Sequence, residues 1–247
     1  MTAQTPIVNA GLKYINGLNL SRTDDEIVAI AAGACRDSLN VNDIVVDAAL
    51  AVSNIIAGAG GLDTGAVANS TFYAVHVIAD STKYNNPVGL LSLSGTAPTL
   101  PAGYDMFRRI GWALTDGTAD FLAFRQDGAS NDRWMWYDAP IATDITSGSS
   151  ATYAAVDASG GLPDSTARIV NWYCKFTPTA GDDTLILVPG TSTATLGYAT
   201  LSGSVAAVVK TGNLICPTDS PNTDAIDYKV IGSAVAISVA AYLDELV

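Results

Sequence analysis

A chain of 247 residues carrying 24 acidic and 12 basic side chains, for a formal net charge of −12, is long enough for one large or two modest β cores. Nothing basic clusters to follow a phosphate backbone, so direct nucleic-acid binding is disfavoured, and an acidic body resists anionic membrane surfaces. Hydrophobic residues make up 49% and charged ones only 15%, where about a quarter is usual. Much of the surface must then be Ser, Thr, Asn, Gly and Ala, as in a protein held at subunit interfaces or a β-sandwich with a Ser/Thr-rich face.

The first segment, Ile7 to Leu20, reads as an extended entry strand with a turn at Asn16-Gly17. Glu26 to Ala34 alternates without a polar helix face, which predicts one strand closed by Gly33. Ile44 to Val46 is a further strand, and Ala48 to Ala59 is compatible with either a helix or an interface strand. The stretch from Ile44 to Ala59 is interrupted by Asp47, Ser53 and Asn54, so no membrane span is expected there. The opening MTAQTPIVNAG has neither the basic start nor the apolar run of a signal peptide. Three scattered cysteines, Cys35, Cys174 and Cys216, fit a reducing compartment of synthesis and read as small buried hydrophobes.

After the turn-rich 60–65 segment, Thr71 to Ala79 and Pro87 to Ser94 have strand character. In the centre, Phe107 to Leu114 reads as a strand, Thr115-Asp116-Gly117 as its turn, and Asp120 to Gln126 as the return of a hairpin. Arg133 to Tyr137 follows as an aromatic strand. Composition then changes: 143–151 is rich in Ser, Thr and Gly, which predicts a boundary between a 1–142 unit and a 143–247 unit. Beyond it, short strand-like runs occur at 167–176, 184–188, 194–199, 205–209, 213–216, 226–230 and 235–242. The expected fold is mostly β, as two antiparallel β-sandwich or jelly-roll-like units.

The residues that could carry chemistry are few. His76 is the only histidine and lies in an apolar alternation, so it is expected to be a packed or interface imidazole; one histidine allows neither a multi-histidine metal site nor a second-histidine proton relay, and although a Cys-His pairing stays open, none of the cysteines has a local activation motif. The adjacent carboxylates Asp24-Asp25-Glu26, Asp182-Asp183 and Asp244-Glu245 are expected to be solvated at turns or ends. Asp219 to Asp227 lacks a full cation-loop pattern, and Val188 to Thr193 lacks the ending of a phosphate loop. Trp134, Trp136 and Tyr137 could form a sugar-stacking platform, because their faces are broad and their rotamers few. Alternation places Trp134 and Trp136 on one sheet face, opposite the alternating face of Phe121, Ala123 and Arg125, and core packing is the expected role of that face. No catalytic residue, metal ligand or cofactor is expected.

Several segments, in order, resemble a group of tailed-bacteriophage structural proteins of the tail-fibre, head-fibre and decoration type. They are Gly11 to Leu20, IVAIAAGACRDSLNVNDI, GGLDTGAVANSTFYAVHVI, PVGLLSLSGTAPTLPAGYDMFRRIGWALTDGTADFLAFRQDG and RWMWYD, followed by ARIVNWYCKF, DDTLILVPGTSTA and IGSAVAISVAAYLDEL. The resemblance implies a non-enzymatic virion protein made in the host cytoplasm. It also implies homo-oligomeric assembly, often threefold, against other virion proteins such as major capsid or tail proteins. It supplies no catalytic residues. The chain lacks the coiled-coil shaft or triple-β repeat of long fibres, which favours a compact surface protein. The rival expectation is a receptor-binding or carbohydrate-binding module; a polysaccharide depolymerase would need a carboxylate-lined cleft.

Overall fold

The computed structural model describes residues 13–128, 130–163, 168–179, 183–189, 199–203, 207–218, 225–231 and 234–246. Short alternating runs between Gly, Pro, Asp and Asn turns satisfy their backbone groups by pairing side by side rather than by coiling. The fold is accordingly all-β with several antiparallel sheets, and no helix occurs among the described residues. The runs expected over 7–12, 194–198 and 205–206 lie outside the described residues.

The chain divides into two compact units. One comprises the residues up to Phe121 with 128–131 and the end from Glu245; the other comprises Leu122–Asp127 and Asp132–Asp244. The 143–151 segment therefore lies inside the second unit, and so does the aromatic strand placed above in the first. Its Ser/Thr/Gly composition marks an irregular edge rather than a linker. Thr143 donates through Oγ1 to the Ile237 carbonyl at 2.8 Å, and Gly148 exchanges two 2.7 Å backbone hydrogen bonds with Val235.

In the first unit, β1 (Ile15–Gly17), β2 (Leu20–Asp24), β3 (Ile27–Ile30) and β4 (Gly33–Arg36) form one long hairpin with a bend. Its base, β1 with β4, lies in one sheet, and its tip, β2 with β3, lies in another. Glu26 to Ala34 is thus two strands, broken where the chains cross at Ala31-Ala32. The crossing needs glycine twice: Gly17 has φ 67°, and a Cβ on Gly33 would run into the Asn16 carbonyl. Leu18, fully buried, also takes a positive φ of 61°.

β5 (Asp43–Val46) extends β4, and β6 (Leu50–Ser53) extends β3, which resolves the 48–59 segment as a strand followed by turns. A separate sheet places β7 (Phe72–Asp80) between β8 (Lys83–Ser92) and β9 (Met106–Leu114). Residues of both parities of β7 are buried, so both of its faces are covered, which explains its nearly continuous apolar run. The expected 107–126 hairpin does not form as a ladder. Asp116-Gly117 does turn the chain, with Asp116 N–H bonded to the Asp120 carbonyl, but β9 pairs with β7 and the return strand pairs onward instead.

The second unit contains β10 (Phe124–Asp127), β11 (Asp132–Ala142), β12 (Ala154–Asp157), β13 (Ile169–Phe176), β14 (Asp183–Pro189), β15 (Ala199–Gly203), β16 (Lys210–Pro217), β17 (Ala225–Ile231) and β18 (Val235–Glu245). One run of paired strands is ordered β16-β13-β18-β11-β10, and another β12-β17-β14-β15. Alternation buries Val170, Trp172, Cys174 and Phe176 of β13, and Leu185 and Leu187 of β14, with Asn171 and Val188 buried besides. Val208 and Val209 are half exposed outside any strand, contrary to the strand expected there, while β12 and most of β15 were not anticipated.

Candidate functional site

The β10–β11 ladder sets Phe124 opposite Tyr137, Arg125 opposite Trp136, Gln126 opposite Met135 and Asp127 opposite Trp134. Directly opposed residues share a face. Phe124, Gln126, Arg133 and Met135 therefore occupy the buried face, whereas Arg125, Asp127, Trp134 and Trp136 occupy the other. The expected core role of the tryptophans is overturned: both are only half-buried, and their face is the outward one. Arg125 is their cross-strand partner surface, as the alternation indicated, but its guanidinium is exposed beside them.

Parity explains the error, because a shift of one residue exchanges the two faces of a strand. Hydrophobicity alone favours Trp134 and Trp136 as the inner pair over Arg133 and Met135. The inner row is nonetheless self-consistent: Arg133 is fully buried, with Nη1 donating to Gln126 Oε1 at 3.2 Å. Tyr137 donates its hydroxyl to the Gly161 carbonyl at 2.9 Å, and its ring lies 6.2 Å from that of Tyr242. Burial pushes the Tyr137 phenol above its ordinary range. Tyr137 therefore stands apart from the stacking pair, and the three aromatics do not form one platform.

The outer pair has the geometry of a stacking surface. The Trp134 and Trp136 ring centroids are 5.6 Å apart with 33° between planes, within the offset arrangements that aromatic pairs prefer. The Arg125 guanidinium carbon sits 6.0 Å from the Trp136 centroid, and Nε lies 3.3 Å from Asp127 Oδ2. Two indole faces flanked by an exposed donor and an exposed acceptor suit a ligand with apolar C–H faces and a hydroxyl rim.

The other candidates resolve as structural parts. His76 is fully buried, with Nε2 3.0 Å from the Ser94 carbonyl, an edge contact to Phe107 and no partner for Nδ1. Burial pushes its pKa down to about 4, so it is neutral at ordinary pH. The free cysteines are buried, and desolvation raises Cys174 and Cys216 to about 12, which suppresses the reactive thiolate.

Two carboxylates expected in solvent are inside. Asp244 is fully buried, with Oδ1 3.1 Å from Arg168 Nη1. Asp183 accepts from the Thr179 backbone at 2.6 Å. The adjacency of Asp244 to Glu245 hid its burial, since alternation sends neighbours to opposite faces; Asp182 lies outside the described residues. Asp25, by contrast, pairs with Arg22 at an exposed turn. Among the described residues, no group of three His, Cys, Asp or Glu side chains is placed to hold a metal ion. No protein-family model, no curated protein and no solved structure matches the chain.

Proposed function

We propose that the chain is a non-catalytic virion surface protein, on the capsid or in a tail or fibre assembly, that binds glycans through the outer face of β10–β11. The observation that carries the glycan reading is the outward-facing, partly exposed Trp134–Trp136 pair beside Arg125 and Asp127. The sequence resemblance, the low charged fraction and the all-β fold support the virion role. In this proposal the protein is made in the host cytoplasm and acts as a homo-oligomer, with threefold symmetry favoured. The two strand groups of the second unit serve as the halves of a sandwich, a scaffold stiff enough to fix both indoles.

The test is Trp136→Ala, read in parallel by denaturant unfolding and by binding to host surface glycans. Loss of one central aromatic contact is expected to weaken binding by roughly tenfold or more. The loss of stability should stay well below the ~3 to 5 kcal/mol of a fully buried tryptophan. Undiminished glycan binding, or a full core-sized loss of stability, would remove the basis of the reading.

A further inference from the structure

In the first unit the chain passes from β8 to β9 through residues 93–105. Both strands run antiparallel to β7, which lies between them, so they are parallel to each other. The connection must therefore return along the sheet and cross β7 on one of its faces. The Val77 face is already occupied, since a Cβ on Gly89, opposite Val77, would run into Val52 and Ile30. The crossover takes the other face, that of Ala74, His76 and Ile78, all fully buried. The Ser94 carbonyl accordingly sits 3.0 Å from His76 Nε2.

Among the described residues this strap has no strand partner, and Pro98 and Pro101 have no N–H to give one. Two hydrogen bonds fix it along its course: the one between Ser94 and His76, and that from Thr99 N–H to Asp63 Oδ2 at 3.0 Å. Its far end is anchored at Asp105, whose N–H reaches the Ala79 carbonyl and whose carboxylate accepts from the Ser81 N–H at 2.7 Å. Both bonds along the course of the strap thus end on titratable side chains.

Because Nε2 of His76 faces a carbonyl, it carries the ring proton, and Nδ1 is a buried acceptor without a partner. A second proton would have to sit on Nδ1, where it meets no acceptor. Arg109 of β9, opposite His76, opposes that charge, while Asp63 favours it; β8 sets only Leu90 beside the ring. Asp80, at the end of β7, is taken up by Thr82 and Lys83, and Arg108, opposite Val77, belongs to the other face. We propose that 93–105 is an acid-released strap: protonated His76 is accommodated by lifting the crossover off β7 into solvent, while the β8-β7-β9 ladder stays paired. Lifting it bares the Ala74, His76 and Ile78 face, so acid exposes an apolar surface that is closed at neutral pH. With a ring pKa of about 4 under the strap and the ordinary 6.5 once it is lifted, closure is favoured above 6.5 and weakens as pH falls towards 4.

The experiment is amide hydrogen exchange of the full chain, followed by NMR at pH 7 and pH 5 and expressed as protection relative to an unstructured peptide at each pH. Ala97, whose N–H is held by Ser94 Oγ, and Thr99 report on the strap; Val75 and Val77 report on the ladder. Strap amides are expected to be less protected than those of β7 at both pH values, as for a local opening. Their protection should fall about twentyfold from pH 7 to pH 5 in the parent and stay level in His76→Phe, or in His76→Gln should the first variant fail to fold. Equal protection of strap and ladder at both pH values would mean that the strap opens only with the whole unit and would overturn the proposal. A strap indifferent to pH in the parent, or an equal fall in the variant, would overturn it too.

Discussion

At the residue scale, His76 gives the clearest link between burial and a measurable response. Its folded-state pKa of about 4 lies below the ordinary 6.5, with desolvation as the largest cause. The unfolded chain therefore binds the extra proton first, and stability is lost as pH falls through 6.5 towards 4. The full loss is about 3 kcal/mol, of which about 2 kcal/mol is expected by pH 5. Carboxylates with lowered values, such as Asp80 at about 2, respond only at more acidic pH. Urea midpoints of the parent and of His76→Phe, compared between pH 7 and pH 5, check this: the parent should weaken and the variant should stay nearly level. An equal slope in both would place the acid sensitivity elsewhere. The sequence made the burial of His76 legible because alternating apolar neighbours surrounded it. It did not disclose the parity of Trp134 and Trp136, since that depends on Tyr137 reaching Gly161 and Arg133 reaching Gln126.

At the scale of elements, most strands were legible from alternation, whereas their partners were not. β9 and β10 are joined by a good Asp-Gly turn, yet each finds a better ladder elsewhere: β9 along the buried β7, and β10 along β11. Local turn chemistry fixes a reversal of direction, but the pairing is decided by which faces can be buried. The bent hairpin of β1–β4 shows the same limit, since Asn16-Gly17 looks like a hairpin tip and is instead the point where a hairpin changes sheets. This assignment predicts that Gly33→Ala costs about 1 to 3 kcal/mol, because its Cβ meets the Asn16 carbonyl and the Leu18 backbone rather than a movable side chain. Gly117→Ala, with open space around the added methyl, should be within about 0.5 kcal/mol of the parent. Chemical denaturation of the two variants reads the difference; equal stabilities would mean that the crossing adapts without strain.

At the scale of the whole molecule, composition sets the terms of assembly. A net charge of −12 opposes self-association by long-range repulsion, while a charged fraction of 15% leaves much uncharged surface to cover. Leu39, Val41, Ile55 and Leu93 of the first unit each expose more than 60% of their area. Burying such side chains between copies is worth up to ~1.5 to 3 kcal/mol apiece, enough to outweigh repulsion once salt reduces the Debye length. The proposed homo-oligomer therefore has a definite signature. Sedimentation from about 1 to 100 µM should show concentration-dependent association that strengthens with added salt, and Leu39→Asp together with Val41→Asp should weaken it by placing charge in an apolar contact. A monomer across that range at high salt would count against the proposed homo-oligomer and leave those apolar side chains without a second copy to cover them.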